Sequence, residues 1–240
     1  MRRTSNSYLA AAGSLAIVLS ACGGGGNGGS TSLAATYDLQ AGFMNLVNMG
    51  LMDNVALSGT VLVNGNSVPF TGTGTLTVAP AVSSMFNNSQ ALAQTETISG
   101  TVTAAGQSAP YSAEVTDYYA TGSGAVLGES SANEYDVVQS PFTYPTSVMG
   151  GSNGILGTVS RYADSSMGVS LGTAQLSYAV TAPVDPGSPV QVQFTDKIYD
   201  TQSTLIETDV TAYTLSSSNV LTFISASAQT TSGTLTVTAQ

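Results

Sequence analysis

Two groups of carboxylates stand close enough in the chain to act together. They are Glu129, Glu134 and Asp136, and then Asp196, Asp200, Glu207 and Asp209. Paired carboxylates can hydrolyse glycosides, one as general acid and the other as base or nucleophile. Neither group has a spacing diagnostic of that chemistry, and there is no tryptophan to form a sugar platform. The chain has no histidine, which removes Ser-His-Asp and Cys-His nucleophile systems and most zinc and copper sites. Lys197 is the only lysine, and no Ser-x-x-Lys motif accompanies it. Calcium needs several converging oxygens. The Asp-x-[Asp/Asn]-x-[Asp/Asn]-Gly run is missing, and Asp185 and Asn153, beside glycines, suit turns better. Tyr118, Tyr119, Tyr135, Tyr144, Tyr162, Tyr178, Tyr199 and Tyr213 could line a ligand surface, although tyrosine is also a favoured strand residue. The expectation is no catalytic residue, no cofactor and no metal.

The charge balance points the same way. Fourteen acids face four basic residues, and two of the latter, Arg2 and Arg3, precede the first apolar stretch. Only Arg161 and Lys197 remain beyond it. Phosphate backbones are bound by clustered Lys and Arg, so nucleic acid is excluded as a partner. The acids are dispersed rather than blocked, and they read as solvated surface charge that favours solubility.

The elements that must position these residues are strands. Ser58 to Phe70 forms two β runs around an Asn64-Gly65 turn, the strongest short hairpin signal. Ser99 to Tyr111 repeats it in register, matching Ser58/Ser99, Gly59/Gly100, Thr60/Thr101, Val61/Val102, Gly65/Gly106, Ser67/Ser108 and Pro69/Pro110. Two copies suggest duplicated hairpins in one sheet rather than a solenoid. Gly74 to Val78 recurs identically as Gly233 to Val237, which suits a good alternating strand. Further strands are expected at 157–160, 174–181, 190–199, 204–215 and 220–227, with a turn at Asp185-Pro186-Gly187. In the 190–199 segment, Val190, Val192 and Phe194 face one side, while Gln191, Gln193 and Thr195 face the other. Residues 120–157, rich in Gly, Ser, Asn and Pro, read as a long connection. Apolar residues at Leu39, Phe43, Leu46, Val47 and Leu51 fit a short helix within 37–53. The fold class expected is all-β, an antiparallel sandwich or barrel-like sheet with one short N-terminal helix, as a single domain over residues 36–240.

The only cysteine, Cys22, closes an apolar N-terminal segment. Arg2 and Arg3 form a positive start, and Tyr8 to Leu19 is too short to span a bilayer. That pattern is a signal peptide over residues 1–21. Its end, Leu19-Ser20-Ala21-Cys22, resembles the bacterial lipobox. The resemblance implies lipid attachment to Cys22, including diacylglycerol and N-acyl (palmitate-type) chains, with cleavage before it. Two or more chains give stable anchoring. The residues after the twin arginines match a Tat signal poorly, so Sec export is favoured. Gly23 in place of Asp resembles an outer-membrane address. Residues 22–35 form a Gly/Ser-rich tether, with a span of roughly 20 Å for a flexible coil of that length. Together with the Gly-rich start, this resembles small uncharacterised lipoproteins of proteobacteria, and it carries no catalytic residue across.

The leading expectation is therefore a lipid-anchored envelope β domain, at the outer membrane, with a non-enzymatic binding or structural role. Its partners are the membrane, through Cys22, and an envelope protein or apolar ligand. The first alternative is a periplasmic carrier of an apolar small molecule in a barrel or half-barrel, with the Met-rich stretch 43–52 as a lid. The second is a carboxylate-based glycan-active enzyme using Glu129, Glu134 or Asp136.

Overall fold

The computed structural model describes residues 35–240, apart from 182, 184 and 186. The leader, the lipobox with Cys22 and the tether up to residue 34 lie outside the described residues, as does Pro186 of the Asp185-Pro186-Gly187 turn. One helix, α1 (Leu39–Met49), leads into β1 (Leu51–Val63), β2 (Asn66–Val78), β3 (Val82–Phe86), β4 (Ser89–Ala104), β5 (Gln107–Ala120) and β6 (Val126–Ser131). Then come β7 (Glu134–Phe142), β8 (Asn153–Tyr162), β9 (Ser170–Val180), β10 (Val190–Tyr199), β11 (Leu205–Leu215), β12 (Leu221–Thr230) and β13 (Gly233–Ala239). The fold is all-β with one short helix. The expected strands of the C-terminal half are present.

All pairings are antiparallel, and the sheet closes. β1 pairs with β13 and β2, the strands from β13 back to β4 follow in order, and β2 pairs with β4. Twelve strands thus form a barrel, while β3 lies on the part of β4 that β2 leaves free. The choice between sandwich and barrel is settled in favour of a barrel.

The repeated hairpins form the seam. Asn64 and Gly65 have φ of 51° and 79°, and Ala105 and Gly106 have φ of 48° and 77°. Positive φ at both central residues marks the two-residue turn that matches strand twist. β2 of the first copy then lies against β4 of the second, with Gly74 opposite Gly100. The strands approach so closely there that a Cβ on Gly100 would sit 2.6 Å from the Gly74 Cα.

The outward face around the β2–β4 seam is hydroxyl-rich. Thr71, Thr73, Thr75 and Thr77 on β2 lie opposite Thr103, Thr101, Ser99 and Thr97 on β4, alternating with the buried Leu76, Val78 and Ile98. Thr60 and Thr234 Oγ1 atoms lie 3.2 Å apart, as do those of Thr95 and Thr116. Such a surface suits water, whereas membrane-embedded barrels present an apolar band outward.

Segment 120–157 corrects the sequence reading. It is not a long connection: it holds β6, β7 and the start of β8, and its acids sit on strands. The barrel wall runs through it.

The helix plugs one end. Asp38 caps α1 by accepting a hydrogen bond from the Ala41 N–H at 2.8 Å. Leu39 and Val47 are fully buried. Side chains and backbone tie the helix and its approach to the connections at that end. Gln40 donates to the Ser123 carbonyl, Asn45 to the Asn219 carbonyl and Tyr37 Oη to the Ser188 carbonyl. The buried Gln94 amide donates to the carbonyls of Leu46 and Ala79, both at 3.0 Å. The Leu46 carbonyl also accepts from the Gly50 N–H at 2.8 Å, so Gln94 is its second donor and ties the helix end to β4. The Met-rich stretch expected as a lid is thus this plug and the start of β1.

Candidate functional site

A closed barrel of about eight strands is filled by its own side chains, and wider ones enclose space. Here the twelve-stranded wall surrounds a cavity of about 160 Å³. A second, of about 440 Å³, lies at the end away from the helix, among residues such as Val61, Phe70, Val102, Tyr111 and Leu235.

The first cavity has two kinds of wall. Towards the helix it is aromatic: Phe43, Tyr144, Phe194 and Tyr213 line it. Phe43 stacks on Tyr144 with ring centroids 3.9 Å apart, and Phe194 meets Tyr144 edge-on at 5.5 Å. Val126, Val138, Leu156, Val159 and Leu176 complete the apolar part. The polar wall holds Asp117, Glu129, Asp136, Asp196 and Asp209, with Ser177, Thr195 and Thr211 beside them.

Strand alternation explains how the acids came inside. On β10, Val190, Val192, Phe194, Asp196 and Ile198 share one face, and the three aliphatic members are buried. On β5, Asp117 shares a face with the buried Val115 and Tyr119. Glu96 shares one with the buried Ile98 on β4. Cross-strand register then assembles them. Asp117 lies opposite Glu129, Glu129 opposite Asp136, Asp136 opposite Arg161, and Asp196 opposite Asp209.

This overturns the reading of the acids as solvated surface charge. Glu134, Glu207 and Asp209 are buried. So is Arg161, which pairs with Glu134 and lies 3.8 Å from Asp136. Burial pushes the Asp196 carboxyl up to about 7, with Glu134 adding to the rise and Arg161 opposing it. Burial also raises Asp117 to about 7 and Glu207 to about 7. Glu96 rises to about 8 through burial and then the Asp117 charge. Asp136 rises to about 9, because burial and Glu134 outweigh Arg161. Burial, followed by neighbouring carboxylates, holds Glu129 and Asp209 well above the usual range. One guanidinium cannot serve so many carboxyls: its ion pairs are with β7, and at Asp196, Glu207 and Asp209 it opposes the rise without cancelling it. Asp136, Asp196, Glu207 and Asp209 each keep a buried oxygen with no hydrogen-bond partner.

Of the acids singled out in the sequence, Glu129, Glu134, Asp136, Asp196, Glu207 and Asp209 converge in the lumen. Asp200 does not: it caps the β10–β11 turn, accepting from the Gln202 and Thr204 N–H groups. Lys197 points away from the lumen and is exposed. Among the tyrosines, Tyr144 and Tyr213 line the cavity, while Tyr118 and Tyr135 stack with Phe86 outside it. Asp185 and Asn153 lie in or next to connections, Asn153 donating to the Gly151 carbonyl. Among the described residues, no group of three or more His, Cys, Asp or Glu is arranged to hold a metal ion. Glu96, Asp117 and the pairing of Arg161 carry no signal in the sequence, whereas Phe43 begins the stretch 43–52 expected as a lid. Comparison with known proteins found no matching family model, curated protein or solved structure.

Proposed function

We propose that this chain is a lipid-anchored envelope protein whose barrel holds a small molecule in its lumen, in a non-enzymatic binding or carrier role. The observation that carries the reading is the amphipathic cavity inside a closed wall. A lumen needed only for stability would be filled with apolar side chains at crystal-like density. This one leaves space between aromatic rings and carboxyls. Small-molecule sites combine largely apolar walls with a few placed polar groups. The size of the cavity favours binding over glycan hydrolysis. A pocket of roughly 150 Å³ holds a molecule the size of benzene, which is smaller than two sugars straddling a scissile bond. The anchor at Cys22 and an outer-membrane location belong to the same proposal. They rest on the lipobox resemblance, and the hydroxyl-rich outer wall suits a barrel standing on a tether in water.

Methyl-labelled NMR of the full chain in a neutral detergent tests the lumen reading. Benzyl alcohol, hexanol, benzylamine and hexylamine are the probes. Shifts confined to Val138, Leu156, Val159 and Leu176 methyls are expected with at least one probe. Shifts restricted to exposed methyls such as those of Leu205 and Val220, or none at all, would defeat it.

A further inference from the structure

We propose that the lumen selects an organic cation: an amine with an apolar body of about benzene size, its ammonium held by Asp209 and Asp196. This rests on the lumen-binding reading and names the class of ligand. Asp209 is 2 % exposed, lines the cavity and has an Oδ1 with no hydrogen-bond partner. Asp196 lies directly opposite it across β10 and β11, with its own Oδ1 shut off from solvent and unpartnered. Like charges placed directly opposite destabilise a strand pair, so the pair calls for a positive group between or beside its members.

The protein's own cation does not fill that role. Arg161 is bound to Glu134 and lies 3.8 Å from Asp136, both on β7; its charge also acts on Asp196 and Asp209 but leaves both carboxyls raised, and among the described residues it forms an ion pair with neither. Exposed Lys197 follows Asp196 in sequence and therefore faces outward. A cation supplied by the ligand fits the gap. The rings of Phe43, Tyr144, Phe194 and Tyr213 line the same cavity, and aromatic faces attract ammonium groups while sheltering hydrocarbon. A metal ion fits less well, because no three carboxylates converge on one point among the described residues and most of the lining is apolar. The volume of about 160 Å³ limits the ligand to roughly six to nine non-hydrogen atoms, judged from the benzene-sized cavity.

The test is calorimetric titration of the full chain, in neutral detergent at pH 7.5, with benzylamine, hexylamine and cyclohexylamine. Each amine is compared with the alcohol of the same skeleton. The expected result is that at least one amine binds tenfold or more tightly than its alcohol. Asp209→Asn and Asp196→Asn should each weaken amine binding about tenfold without changing alcohol binding, while Asp164→Asn on the surface leaves both intact. A thermal melt of each variant confirms folding, and the amine-to-alcohol comparison on the unaltered chain stands even if a variant does not fold. Equal binding of amines and alcohols would overturn the cation inference and leave the lumen reading standing. Amine binding insensitive to both Asp variants would also overturn it. If neither class binds below about 1 mM, both readings fall.

Discussion

Replacing Asp196 by Asn should stabilise the empty barrel by an amount that grows from about pH 4 and levels off above about pH 7. The Asp196 carboxyl titrates at about 7 in the fold against an ordinary value of 3.8, chiefly because it is buried. A raised carboxyl pKa means that the folded state holds a proton the unfolded chain has lost. Stability is therefore fully present below pH 4 and is lost as pH rises through 7. Each pKa unit is worth about 1.4 kcal/mol, so the shift of roughly three units gives an upper figure of about 4 kcal/mol at pH 8. Asp209 and Glu207 relieve part of this by keeping protons themselves, since both are also raised by burial. The expected gain for Asp196→Asn is about 2–4 kcal/mol at pH 8 and near zero at pH 4. The isosteric amide can also donate to Asp209 across the strand pair. Urea unfolding at pH 4, 6 and 8 measures it. No gain at pH 8, or an equal gain at all three values, would refute the argument that Asp196 is a buried, uncompensated acid.

Other perturbations follow from the same geometry. Ala105→Asn should raise stability by about 0.5–1 kcal/mol in urea, because Ala105 occupies positive φ, which costs L residues about 1–2 kcal/mol and which Asn tolerates; an unchanged midpoint would contradict the turn assignment. Gly100→Ala should cost 3 kcal/mol or more, roughly, since its Cβ would meet the Thr73 carbonyl oxygen at 2.3 Å; the loss of hydrogen-exchange protection should begin at the β2–β4 seam. Gln94→Leu removes a donor from the Ala79 carbonyl and from the Leu46 carbonyl, which keeps the Gly50 N–H, and should cost about 1–3 kcal/mol, with faster exchange across α1. Amine binding should release protons and tighten from pH 6 to pH 8, because Asp196 and Asp209 must ionise among Asp117, Glu129, Asp136, Glu134, Glu207 and Arg161. Titrations in two buffers of different ionisation enthalpy read that release, and binding enthalpies identical in both would contradict it.

Much of the wall was legible in the sequence. The Asn64-Gly65 signal and its in-register copy located two hairpins, because two-residue turns demand positive φ that few residues supply. Their abutment was not legible: the β2–β4 pairing depends on closure of the whole sheet, a long-range event with no local signature. Strands β6 and β7 read as a connection in the sequence for a physical reason. The inward face of β7 carries Glu134, Asp136 and Val138, so the apolar alternation that announces a strand is broken by the acids that make the site. Asp196 was the exception in plain view. It continues the series Val190, Val192, Phe194, and an acid on the apolar parity of a half-buried strand is a signal of a polar lumen. Asp209 and Asp117 became interpretable only once register placed them opposite Asp196 and Glu129.

The central claim is that the lumen carries a small molecule, and native mass spectrometry of the full chain, purified gently from cells that make it, tests it most directly. The account predicts a complex heavier than the denatured chain from the same sample by a mass fitting a ligand of about benzene size. That mass should vanish on denaturation and should be restored when an amine of the same mass is added to the stripped protein. A single mass for the bare chain, unchanged after incubation with millimolar benzylamine, hexylamine or their alcohols, would contradict it.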